Sequence, residues 1–150
     1  MALTRAFETF PTLLTERLVL RKIVESDANA LFSILSDDQV TEFYDDDSFT
    51  EISQASHQIE SWNLGYQNHR TIRWGITLKS NGKLIGTCGY YGIHRWNQRA
   101  SFGYELSKDH WLQGIMSEAL MAMVDFGFGQ LELNRLDALV MPGNIGSIRL

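Results

Sequence analysis

The chain has 150 residues, 44% of them apolar and 21% charged, with a formal net charge of −5. That is the balance of a single soluble globular domain, residues 1–150, long enough to bury a core, and its acidic excess argues against direct nucleic-acid binding. One cysteine, Cys88, excludes an internal disulfide and fits a reducing cytoplasm, while no apolar run approaches the roughly 20 residues of a membrane span and the N-terminus lacks a secretory signal's apolar stretch.

Residues 1–10 carry no clear period. In RLVLRKI (17–23), Leu18 and Leu20 alternate with Arg17, Val19 and Arg21, the pattern of a strand with two unlike faces. Ser26 or Asp27 then offers an N-cap for a helix with Ala28, Ala30, Leu31, Ile34 and Leu35 as its apolar stripe. The run Asp45, Asp46, Asp47 reads as a solvated loop rather than a substrate-steering feature. A second helix is predicted from about Thr50 to Tyr66, with Ile52, Ala55, Ile59, Trp62 and Tyr66 at three- and four-residue spacing.

The period then changes to two. Ile72, Trp74, Ile76 and Leu78 alternate with smaller or polar residues, and Asn81-Gly82 follows as a hairpin signal. Residues 83–93 form the return strand, where glycines at 86, 89 and 92 mark a bulge or a close backbone approach. A loop over 94–99 and a third antiparallel strand over 100–107 complete the run. Trp62, Trp74, Tyr90 and Tyr91 are expected in the core, as is Cys88, read as a buried structural thiol.

The stretch WLQGIMSEAL (111–120) leads into a helix from about Met116 to Gly129, with Leu120, Met123, Val124 and Phe128 toward the core. A short strand over 135–141 follows, Pro142-Gly143 punctuates it, and Asn144 can cap one more helix. The fold class is therefore α/β (α+β), a mixed sheet with a βαβ unit at its C-terminal end.

The first amides of a helix have no partner within it, and the helix dipole favours negative charge there. Gly114 lets a ligand approach the backbone, Ser117 can add a hydroxyl, and Met116, Ser117 and Glu118 would present amides, so a phosphate or pyrophosphate could bind. Alone, a glycine before a helix is more often a plain turn. The chain has no GxxxxGK[ST], no GxGxxG after a strand and no GxSxG. Its histidines at 57, 69, 94 and 110 are scattered, with no metal-ligand spacing.

The order of elements together with three sequence blocks resembles the GNAT N-acetyltransferases, and among them the ribosomal-protein N-terminal (Rim-type) branch. TERLVLRKI is similar to the branch's opening strand. RASFGYELSKDHWLQGIMSEAL resembles R-x-E-[IF]-G-Y-x-L…W-G-x-G-[YI]-[AM]-[ST]-E-A-L, and LNRLDALVMPGNIGSIRL resembles L-x-R-[LI]-x-A-x-V-x-x-x-N-x-x-S. The resemblance covers about residues 12–150. It implies a mostly antiparallel central sheet flanked by helices, with the GYEL and LDALVM strands splayed apart around acetyl-CoA, and no metal.

The pantetheine arm would pair with backbone near Leu106, and the pyrophosphate would lie on the amides of Gln113, Gly114, Ile115, Met116 and Ser117. A neutral amine would attack the thioester carbonyl, a base would take its proton, and an acid would protonate the departing thiolate. The resemblance gives Ser147 the role of donor to the sulfur and Asn144 that of fixing substrate or water; read without it, Asn144 caps a helix and Ser147 lies in the first turn. The acceptor would be a protein N-terminus or a small amine, and self-association into a homodimer stays open.

Three departures stand out. Ser101 occupies the place of the branch's glutamate, leaving water or another carboxylate, such as Glu105 or Asp109, as the base. Leu112 replaces the first glycine of W-G-x-G. The chain ends as a helix begins, which reads as a C-terminal truncation with the last helix and final strands missing. The alternative to an acetyltransferase is a catalytically degenerate acyl-CoA-binding or dimerisation module.

Overall fold

In the computed structural model, which describes residues 5–42 and 47–137, the two-residue alternation of Leu18 and Leu20 builds a strand with one fully buried face. It is the second of six: β1 (Leu13–Leu14), β2 (Leu18–Lys22), β3 (Ile72–Leu78), β4 (Leu84–His94), β5 (Arg99–Leu106) and β6 (Arg135–Asp137). They lie side by side in chain order, each pair antiparallel except β5 and β6, which run parallel. Among the described residues four α-helices accompany them: α1 (Ala28–Leu35), α2 (Asp38–Thr41), α3 (Ile52–Gln67) and α4 (Ile115–Gly129).

Each helix starts for a local reason. The Asp37 carboxylate accepts the Gln39 N–H at 2.9 Å and opens α2. Gln54 Oε1 accepts the Thr50 and Glu51 amides at 2.6 and 3.0 Å, closing the exposed start of α3. Asp27 stands at the N-cap position of α1, but its carboxylate reaches back to the Val24 N–H at 2.8 Å and to Arg21 rather than forward into the helix. The expected cap is thus the anchor of the turn before the helix.

Two apolar layers sandwich the sheet. Leu18, Leu20, Ile72, Trp74, Ile76, Cys88 and Tyr90 form one core with Ile115, Met116, Ala119 and Met123 of α4. Ile23, Leu84 and the stripes of α1 and α3, including Leu31, Ile34, Ala55 and Ile59, form the other. Each fully buried Leu or Ile contributes about 1.5–3 kcal/mol relative to exposure. In β4, a Cβ at Gly89 would run into the Ile72 backbone, and Gly92, with φ 59, sits where the β4–β5 register shifts between Tyr91 and His94. The close approach and the bulge read from these glycines are both present.

Three expected core positions fall outside. Tyr91 is 46% exposed, because strand alternation sends it to the face opposite Tyr90. Phe128 and Ile52 are also exposed, each near the end of its helix, whereas Trp62, half-buried, packs against the α1–α3 core as expected. Short β1 and α2 were not read from the sequence; each has too few residues to show a period. The strand predicted over 135–141 is described through Asp137, and Asp45, Asp46 and the 142–150 segment lie outside the described residues.

Candidate active site

The connection from β5 to α4 is the centre of the site. The Ser107 N–H donates to the Ile85 carbonyl at 2.7 Å, and Leu106 stands opposite Gly86. By the alternation of an antiparallel ladder, the Leu106 N–H and carbonyl therefore point away from β4. Trp111 Nε1–H donates to that carbonyl at 2.9 Å, so among the described residues the amide is the Leu106 backbone group left to pair with an extended ligand.

Beyond a short turn at Lys108–His110, Leu112 and Gly114 both take left-handed backbone angles, φ 61 and φ 74. Two such residues bend the chain sharply into α4, whose first residue is Ile115. The Glu118 N–H is already in the helical ladder, bonded to the Gly114 carbonyl at 3.1 Å. The amides ahead of it, at Ile115, Met116 and Ser117, precede the first i to i−4 bond. This corrects the expectation that Glu118 would offer its amide. Ile115 and Met116 bury their side chains and can contribute backbone only, while Ser117 is exposed. A Cβ added at Gly114 would stand on the loop's open side, with an Arg17 nitrogen at 3.6 Å as its nearest neighbour. A glycine, a dipole end and free amides in one place fit a pyrophosphate.

A strap from the β1–β2 turn braces this loop. Arg17 donates from its backbone N–H and from Nε to the Glu118 carboxylate at 2.9 and 2.7 Å, and Thr15 donates its hydroxyl to the same group. Arg17 Nη1 also donates to the Gln113 carbonyl at 3.0 Å. Partial burial pushes the Glu118 carboxyl up, but the bonds from Thr15 and Arg17 outweigh that and hold it below the usual range. Gln113 turns its side chain to the Asp109 carbonyl at 3.1 Å.

On the α3 side of β5, Arg73 Nη2 donates to Glu105 at 2.9 Å and Arg73 Nε to Thr87 Oγ1 at 2.9 Å. Thr87 donates in turn to the other Glu105 oxygen at 2.6 Å, and Trp62 stacks on the guanidinium, 4.9 Å from ring centroid to carbon. Both oxygens of Glu105 are thus occupied, which fits an anchor better than a base. Further up β5, Ser101 is in register with Tyr91 on one side and with Asp137 of β6 on the other. Side chains in register share a face, so β6 brings a carboxylate beside the position where Ser101 replaces a glutamate. Only the strand pairing reveals this; Asp137 carries no motif of its own. Asp137 is half-exposed and accepts from Arg135 Nε at 3.2 Å.

Of the residues singled out in the sequence, Leu106, Gln113, Gly114, Ile115, Met116 and Ser117 gather at this one connection. Asn144 and Ser147 lie outside the described residues.

A mostly antiparallel sheet, a lone parallel pair at its end and an amide-lined helix start between those two strands define the GNAT acetyltransferase fold. The acetyltransferase (GNAT) domain family matches residues 17–150, and the chain belongs to it. It is 40% identical over 141 residues to the uncharacterized N-acetyltransferase YoaA of Bacillus subtilis, covering 94% of this chain and 80% of that one. The ribosomal-protein-S5-alanine acetyltransferase from Vibrio fischeri aligns with a TM-score of 0.80 at 22% identity, over 93% of this chain and 79% of its own. A ribosomal L7/L12 α-N-protein acetyltransferase, solved in complex with coenzyme A, gives a TM-score of 0.82 at 20% identity, over 93% and 80% of the two chains. The last two likenesses are of fold. The protein is an acetyltransferase.

Proposed function

We propose that the chain moves an acetyl group from acetyl-CoA to a primary amine, either a peptide N-terminus or a small molecule, by direct transfer. The observation that carries this is the alignment of two kinds of backbone donor at one connection: the outward Leu106 amide and the unpaired amides at the start of α4. When bound, acetyl-CoA supplies the thioester carbonyl to which the amine adds. Residues 113–117 hold the pyrophosphate and Leu106 N–H orients the pantetheine arm. Asn144 positions the acceptor or a water, and Ser147 donates a hydrogen bond to the leaving sulfur.

Asp137 takes the place of the absent glutamate. With Glu105 held by Arg73 and Thr87, Asp137 is the carboxylate that β6 sets beside Ser101. It can receive the amine's proton directly or through a water.

Calorimetric titration with acetyl-CoA followed by thiol release against a panel of peptides and small amines tests the reading. Binding with release for at least one amine is expected. No binding would remove the donor site, and binding with no release across the panel would reduce the chain to an acyl-CoA-binding module. Asp137→Asn is expected to lower kcat about 100-fold or more, the range of general-base contributions. An unchanged kcat would exclude Asp137 as the base.

A further inference from the structure

Glu118 poses an electrostatic problem. It is the fourth residue of α4, which begins at Ile115, so its carboxylate sits within a turn of the amides assigned to the pyrophosphate. An acid near a helix start favours the helix, but it also competes with an anionic ligand for the same positive end. Left bare, it would repel the phosphates it stands beside.

Arg17 addresses this from another part of the fold. Its Nε and backbone amide bind the carboxylate at 2.7 and 2.9 Å, while Nη1 holds the Gln113 carbonyl at 3.0 Å. The guanidinium therefore spans the acid and the loop, and its Nη2 lies 3.6 Å from where a Gly114 Cβ would be. Holding the Gln113 carbonyl on the Arg17 side turns the Gly114 N–H of the same peptide plane to the opposite side. The side chain is 44% exposed, open to the space in front of the helix.

We propose that Arg17 is a positioning residue for the phosphate end of the donor: it neutralises Glu118 and fixes the Leu112–Gly114 bend so that the α4 amides face the pyrophosphate. This rests on the donor site proposed above. It predicts that removing Arg17 damages recognition of the phosphates and leaves recognition of the pantetheine arm intact. It also predicts that neutralising Glu118 repairs part of the damage.

The test is calorimetry on the 150-residue chain with two ligands, CoA and S-acetylpantetheine, the second lacking the phosphates. Arg17→Ala is expected to weaken CoA about tenfold, the scale of one lost charge-assisted contact, and to leave S-acetylpantetheine unchanged. Arg17→Ala with Glu118→Gln should bind CoA several-fold more tightly than Arg17→Ala alone, a non-additivity that marks direct coupling. If Arg17→Ala does not fold, Arg17→Lys replaces it, keeping the charge but losing the fork. A few-fold loss for CoA alone is then expected. Equal weakening of both ligands, unchanged CoA affinity in the Arg17 variants, or a double variant no better than Arg17→Ala would each overturn the proposal. Failure of the unsubstituted chain to bind CoA would remove the donor site and this inference with it. Normal binding that ignores Arg17 removes the inference alone.

Discussion

The Arg73 guanidinium meets the Glu105 carboxylate at 2.9 Å with the two side chains only 10% and 6% exposed, so the pair has exchanged solvent for each other. Thr87 and Trp62 complete its surroundings. Such a pair is costly to break one-sidedly, since the survivor is left as a buried, unmatched charge. Glu105→Leu is expected to cost about 3–5 kcal/mol in urea denaturation, while Arg73→Met with Glu105→Leu costs less than that single change. A double variant as unstable as the single one would show that the cost lies in lost packing.

Asp27 ties the exit of β2 to the start of α1. Burial alone would raise its pKa, but bidentate bonds from Arg21 at 2.8 Å and the Val24 N–H outweigh burial and lower it. A folded-state pKa below the unfolded value of about 3.9 means the stabilisation is complete above that value. It is lost as pH falls through the folded value. Asp27→Asn should therefore cost about 1.5–3 kcal/mol at pH 7, with a difference from the parent that shrinks toward about pH 2. Denaturation midpoints measured across that range give the comparison; a pH-independent difference would contradict it.

The two left-handed residues of the β5–α4 bend differ in what they tolerate. Gly114→Val places a branched side chain at φ 74 on the open side of the loop, costing about 1–2 kcal/mol of stability and weakening CoA by more than tenfold. Unchanged affinity would move the pyrophosphate elsewhere. Leu112 already bears the strain of φ 61 with a fully exposed side chain. Leu112→Gly is expected to leave stability unchanged or raise it by up to about 1 kcal/mol, as thermal melts would record.

Cys88 lies fully buried on β4, and burial pushes its thiol up to about 12. At neutral pH the native thiol should resist iodoacetamide, because the thiolate is the reactive form. Alkylation should appear only as denaturant exposes the strand, with the labelled fraction tracking the unfolding curve. Rapid labelling without denaturant would place Cys88 at the surface.

The sequence by itself determined the longer elements, though not short β1 and α2, and the class of protein. Two-residue alternation in β2 and β3, the Asn81-Gly82 turn and the stripes of α1 and α3 are local patterns, written within a few residues and set by backbone geometry. WLQGIMSEAL, a glycine entering a helix after a strand, marked the loop proposed above to hold the donor for the same reason. Tertiary structure decided which side chains meet. Arg17 and Glu118 are 101 residues apart, and Arg73 and Glu105 are 32 apart. Neither pair has a local signature, since each exists only through strand register and the packing of α4 on the sheet. Register also turned Tyr91 outward while Tyr90 went in, and set Asp137 beside Ser101. A one-residue slip would reverse every such assignment, and it is burial of the whole sheet between two apolar layers that fixes the register.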